Sequence, residues 1–225
     1  MSDQLKALLF DLDGTLTDTG EQHFLATMTA LKDFGKSIDR ETYDHHIHGN
    51  SNDNIAEYFF PNGDKTLQKQ YVDHKELTFR NMLSDVDPVA GLVELMAWAK
   101  QHSLLLALVT AAPVENKDAT LRALGMETHF DTVVLGDDLA RSKPDPLPYQ
   151  TALERLGVLA GEAIGFEDSL HGIQSVTGAG VFTVGITTGL PASRLIAKGA
   201  NLAVPDYQDK ALWQELDIRQ TSVIS

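Results

Sequence analysis

Ala7-Leu8-Leu9-Phe10-Asp11-Leu12-Asp13-Gly14-Thr15 runs four apolar residues straight into two carboxylates and a glycine. A short apolar run without strict polar alternation fits a parallel strand buried on both faces. The acids then stand where that strand opens into a loop. Like charges at a buried strand end are costly unless they are paired, protonated or bound to a cation. Taken alone, Asp13-Gly14 also fits a hairpin turn. The remainder of the chain decides between the two.

Further apolar runs lie at 104–109, 132–135, 163–166, 181–186 and 202–204, each bounded by Gly, Pro or Asp or followed by a polar turn. Between them the apolar spacing is near 3.6, as in Leu92/Leu95/Met96/Ala99, Leu121/Leu124, Leu153/Leu156 and Ile173/Val176. Alternating strands and helices predict an α/β fold, a doubly wound, Rossmann-like parallel sheet with its chemistry at the carboxyl ends of the strands. One block departs from this rhythm. Residues 17–85 show only helical patterning, with one stripe at Phe24/Met28/Leu31, another candidate helix over 64–83, and Pro61-Asn62-Gly63-Asp64 as a turn between. This predicts an all-helical cap domain, 17–85, inserted into a core made of 1–16 and 86–225. Asp87-Pro88 marks the return to the core.

The chain has 225 residues, enough to bury a core without staples, and it contains no cysteine, which excludes disulfides and thiolate metal sites. The first residues lack the basic and apolar regions of a signal peptide. The longest apolar run is far too short to cross a bilayer. A soluble, cytoplasmic protein is expected, with monomer as the default. The net charge of −14 argues against nucleic acid or an anionic membrane as partner. A phosphorylated substrate would need a local cation to overcome that field.

Four motifs carry chemistry. In the first, a carboxylate can act as nucleophile on phosphorus, and a second can shuttle a proton to the leaving oxygen. Glu167-Asp168 follows the run at 163–166, and although Asp168 could simply cap the next helix, carboxylates at converging strand ends form an oxygen-only site suited to Mg²⁺. Lys143, in Arg141-Ser142-Lys143-Pro144-Asp145-Pro146, is either a solvated loop lysine or a fixed positive charge for phosphoryl oxygens. Thr110 ends the run at 104–109, where its hydroxyl can reach a phosphate oxygen.

In order and context, these residues resemble the four signature motifs of the haloacid dehalogenase superfamily, over essentially the whole chain. The cap position is similar to that of its β-phosphoglucomutase and phosphoglycolate-phosphatase-like branch. The resemblance implies Asp11 as nucleophile and metal ligand, and Asp13 as general acid/base, its carbonyl on the metal. It implies Asp168 as a further ligand, Glu167 as a direct or water-mediated one, and Thr110 and Lys143 on the phosphoryl oxygens. Asp11, Glu167 and Asp168 sum to −3, while Mg²⁺ and Lys143 sum to +3, so the cation makes the pocket neutral. Asp13 also separates reaction classes, because relatives that displace halide lack an acid at this position.

The branch resemblance extends to Thr19, His23, and His48-Gly49-Asn50-Ser51, residues linked there to cap closure and acid/base control. A mutase of that type grips a second phosphate with an arginine, where this chain has Asn52. An uncharged Asn52 cannot replace an arginine fork. A phosphatase acting on a small, sugar-phosphate-like metabolite is therefore expected. A sugar-phosphate mutase is the alternative, and a non-catalytic binding protein retaining the fold is a third. His23 reads equally as an ordinary cap-helix residue, His45/His46/His48 as solvated loop, and Lys75 and Arg80 as a solvated helix face.

Overall fold

The computed structural model describes residues 4–47, 50–61 and 64–221. The chain divides into two compact units, Met1–Asp18 with Asp87–Ser225, and Thr19–Val86. Thr17 and Asp18 stay with the first unit, because Thr17 bridges to Pro88 and its hydroxyl donates to the Asp87 carbonyl at 2.7 Å.

The first unit is built on six parallel strands: β1 (Ala7–Phe10), β2 (Leu105–Thr110), β3 (Thr132–Leu135), β4 (Ala163–Glu167), β5 (Phe182–Ile186) and β6 (Leu202–Val204), in the order β3-β2-β1-β4-β5-β6. This is the doubly wound, Rossmann-like order. A parallel sheet rules out the hairpin at Asp13-Gly14. The side chains of β1 alternate between two cores. Leu8 and Phe10 join Leu106, Leu108, Ile164 and Phe166 on one face, while Ala7 and Leu9 join Ala107, Val109 and Ala163 on the other. Burial on both faces is why these runs lack polar alternation.

The second unit holds α1 (Gly20–Asp33), α2 (Arg40–His46), α3 (Asn52–Phe59) and α4 (Lys65–Arg80), and no strand among its described residues. Asp39, Ser51 and Asp64 cap the last three, each accepting from a backbone N–H two or three residues on. His45 and His46 are exposed as expected, but they form the last turn of α2 rather than a loop. The unit packs its own core around Leu31, Tyr43, Phe59, Phe60 and Tyr71.

In the first unit, α5 (Leu92–Gln101), α6 (Val114–Leu124), α7 (Leu147–Leu156), α8 (Leu170–Gly178), α9 (Ala192–Lys198) and α10 (Lys210–Thr221) complete the layers. Helices α6 and α7 stop at Gly125 and Gly157, both left-handed, the usual end for a helix that must turn into a strand. No described helix is long and apolar enough to cross a membrane.

Candidate active site

The order of the strands reverses between β1 and β4, and the carboxyl ends flanking that switch point are where α/β sheets place ligands. Phe10 and Phe166 are register partners there, their rings stacked at 4.8 Å. The residues that follow them, Asp11 and Glu167, are thereby held side by side. Oxygens of Asp11, Glu167 and Asp168 lie within 4.8 Å of one another, the one such buried group among the described residues. An oxygen-only donor set of this kind fits a hard cation such as Mg²⁺.

Lys143, from the loop before α7, enters the same cluster. Its ammonium donates to Asp11 Oδ1 at 2.5 Å, Glu167 Oε1 at 2.6 Å and the Val109 carbonyl at 2.8 Å. Only 7% of its side chain is exposed, so it is no solvated loop lysine. Burial pushes its pKa down, but Asp11 and Glu167 more than reverse this and keep it protonated. Burial lifts Asp11 to about 7, with Lys143 pulling it down and Glu167 pushing it up. Asp168 is raised well above its ordinary value by burial, then by Glu167 and Asp11. Three acids around one ammonium thus leave a charge deficit that favours either a proton or a metal cation.

Glu167 is fully buried and accepts from five donors. Beyond Lys143 these are the Tyr149 hydroxyl at 3.0 Å on Oε1, and Asp168 N, Ser169 N and Ser169 Oγ at 3.1–3.3 Å on Oε2. Helix α8 runs close against it, and a Cβ on Gly172 would fall 1.9 Å from its carboxyl carbon. Ser169 caps that helix, accepting from Gly172 N at 3.0 Å, so Asp168 is not spent on capping. Thr110 ends β2, 2% exposed, and its hydroxyl accepts from Ala112 N at 3.0 Å.

Asp13 sits half-buried in the tight loop after β1. Gly14 there has φ +77°, and a Cβ on it would meet Asp168 Oδ2 at 2.1 Å, so only glycine fits. Its N–H donates to the Thr17 carbonyl at 2.8 Å. Its carbonyl accepts from the Thr188 hydroxyl at 2.7 Å, and the Thr15 carbonyl from the Tyr207 hydroxyl at 3.0 Å.

The structure therefore brings Asp11, Lys143, Glu167 and Asp168 together, with Thr110 and Asp13 on adjoining strand ends. Sequence reasoning missed Tyr149, Gly172, Thr188 and Tyr207. Of these, Gly172 alone left a trace, as a glycine inside a helix-period segment, where it costs about 1 kcal/mol against alanine.

The residues that the branch resemblance linked to cap closure fall in the second unit. Thr19 is buried at the start of α1, and the His23 ring stacks on Phe79 at 3.9 Å. Asn52 opens α3, its side-chain carbonyl accepting from Lys75 at 2.8 Å. Lys75 is not on a solvated face but 5% exposed, because Glu76 also takes its ammonium at 2.6 Å. His48 and Gly49 lie outside the described residues.

The sequence pattern of the haloacid dehalogenase-like hydrolases matches residues 8–186, a span that holds every acid and the lysine above. The chain belongs to that family. It is 28% identical to the β-phosphoglucomutase of Bacillus subtilis, over 96% of this chain and 99% of that protein. It is 32% identical to a phosphoglycolate phosphatase of Colwellia psychrerythraea, over 82% of this chain and 85% of that one. The crystal structure of CbbY from Rhodobacter sphaeroides with xylulose-(1,5)bisphosphate superposes with a TM-score of 0.81, at 27% identity, covering 91% of this chain and 96% of that one. As a haloacid dehalogenase-like hydrolase the chain is an enzyme, of the phosphoric monoester hydrolase class.

Proposed function

We propose that this hydrolase is a Mg²⁺-dependent phosphatase that cleaves a small, singly phosphorylated, sugar-phosphate-like metabolite through an aspartyl-phosphate on Asp11. The observation that carries this reading is Lys143 joined to both Asp11 and Glu167 at the switch point of the sheet. Asp11, Asp168, Glu167 and the Asp13 carbonyl would hold the cation, which supplies charge neutralisation for an incoming dianion.

The residues then divide the work. An Asp11 oxygen attacks phosphorus as the bond from phosphorus to the alcohol oxygen breaks, and Asp13 gives that oxygen its proton. Asp13, now ionised, takes a proton from water, whose oxygen attacks the same phosphorus. Inorganic phosphate leaves and Asp11 is regenerated. Lys143 pulls Asp11 towards its ionised form against the effect of burial and, with the Thr110 hydroxyl, steadies the phosphoryl oxygens. Burial strengthens each of these interactions over its value in water.

The helical unit supports a singly phosphorylated ester over a bisphosphate. Its buried cation, Lys75, is already neutralised by Glu76 and held by Asn52, so a second phosphate would have to displace both. That weighs against the mutase alternative. The test is a panel of phosphomonoesters with Mg²⁺, including sugar phosphates and phosphoglycolate, each repeated in excess chelator. Phosphate release that stops reversibly in chelator is expected. Isomer interconversion dependent on a sugar bisphosphate would favour the mutase, and no release from any ester would favour a non-catalytic role.

A further inference from the structure

Two hydroxyls outside the acidic cluster reach across to the loop that carries Asp13. Thr188, just past β5, donates to the Gly14 carbonyl at 2.7 Å, and Tyr207, beyond β6, donates to the Thr15 carbonyl at 3.0 Å. Neither contact is between chain neighbours, for 174 and 192 residues separate the partners. Gly14 has φ +77° and is the natural point for this loop to flip. Its N–H is fixed by Thr17 and its carbonyl by Thr188, so both peptide planes that meet at Gly14 are held. The Asp13 side chain leaves the backbone one residue earlier, and its direction follows from those planes.

Tyr207 is itself held on several sides. It is fully buried, its ring lies 6.2 Å from that of Phe10 and 5.4 Å from that of Phe166, and its N–H donates to the Ala90 carbonyl at 2.9 Å. The same two aromatic residues precede Asp11 and Glu167, so Tyr207 ties the Asp13 loop to the strand ends that carry the nucleophile.

We infer that Thr188 and Tyr207 are positioning residues for general-acid catalysis: they hold the Gly14-Thr15 backbone so that Asp13 can reach the leaving-group oxygen. The inference rests on the proposed acid role of Asp13. It predicts a loss that depends on how much the leaving group needs a proton. An alkoxide leaving from a sugar phosphate needs one, whereas the p-nitrophenolate of p-nitrophenyl phosphate leaves without it.

The experiment compares kcat/KM for an alkyl phosphate and for p-nitrophenyl phosphate in the Mg²⁺-loaded enzyme. Because kcat/KM reports events up to release of the alcohol, the later use of Asp13 as base does not enter. Asp13→Asn calibrates the scale, with an alkyl-selective loss on the order of 10²–10⁴. Thr188→Val and Tyr207→Phe, which remove only a donor, are expected to lower the alkyl value about tenfold or more, since small misplacements of a reacting group are costly. The aryl value should stay within about twofold, which also reports an intact fold, and Thr188→Ser should restore the alkyl value by returning the donor.

Equal losses on both esters, or none on either, in Thr188→Val and Tyr207→Phe would overturn the positioning role while Asp13→Asn still splits the two. If Asp13→Asn itself shows no split, the acid assignment fails, and the positioning role fails with it.

Discussion

Replacing Gly172 by alanine tests how closely the fold is built around Glu167. In an ordinary helix the change stabilises by up to about 1 kcal/mol. Here the new methyl would lie 1.9–2.0 Å from the carboxyl carbon and both oxygens of Glu167. Restoring a contact of about 3.5 Å needs a shift of roughly 1.5 Å. The hydrogen bonds on that carboxylate span 2.6–3.3 Å and do not survive such a shift together. Bonds to a charged group contribute about 1.5–3 kcal/mol each, so losing two costs roughly 3–6 kcal/mol. After the helix gain, Gly172→Ala is expected to destabilise by about 2–5 kcal/mol, lowering Tm by roughly 4–20 °C for a chain of this size. Thermal and urea unfolding in metal-free buffer measure it. In a Glu167→Ala background the penalty should shrink or vanish, since the three atoms nearest the methyl all belong to the Glu167 carboxylate. A stabilised single variant, or an equal penalty in both backgrounds, would refute the reasoning.

Asp11→Asn should abolish turnover while leaving the unfolding midpoint within a few degrees of the parent; steady-state assays and calorimetry check both halves, and residual turnover would remove Asp11 as nucleophile. Lys143→Met takes away the ammonium shared by Asp11 and Glu167, and breaking a buried ion network in this way costs about 3–5 kcal/mol, read by urea unfolding at pH 8 without metal. An unchanged midpoint would mean that the carboxylates do not depend on it. Proton competition sets the pH dependence of metal binding. Asp11 in the metal-free fold holds its proton up to about pH 7, so apparent Mg²⁺ affinity should weaken below that pH, by up to about tenfold per unit. Because the folded chain then binds a proton the unfolded chain has lost, metal-free stability should fall as pH rises from about 4 towards 7, and added Mg²⁺ should offset the fall. Calorimetric titration of Mg²⁺ at pH 6 and pH 8 checks this, and equal affinities would contradict it.

The four inner strands were legible because they are buried on both faces, which leaves an uninterrupted apolar run in the sequence. The edge strands β3 and β6 are only partly buried. The short helices of the second unit were less so. Helix α2 spans Arg40–His46 and is mostly polar, and its main sequence signal is Asp39 capping Thr42. Of the site, Asp11, Asp13, Glu167 and Asp168 could be picked out as acids at strand ends, whereas Lys143, in a loop and readable as solvated, stood out only through its place in the order of the motifs. Lys75 could not, because a lysine in a polar helix reads as solvated, and one of the partners that bury it, Asn52, lies 23 residues away. Tyr149 and Tyr207 read as core aromatics, which they are. Only the fold reveals that their hydroxyls end on Glu167 and on the Thr15 carbonyl.

The strand order has a consequence for biosynthesis. β1 is made first yet lies between β2 and β4, so Ala7–Phe10 emerges from the ribosome with neither neighbour available. The whole of Thr19–Val86 must follow before β2 appears, and β4 comes only after Ala163. Closing so long a loop costs little extra free energy, since the penalty grows only with the logarithm of length. It does cost time, during which a bare apolar segment invites wrong pairings or chaperone capture. The nascent chain also carries Asp11 long before Lys143 and the second acid pair, Glu167 and Asp168.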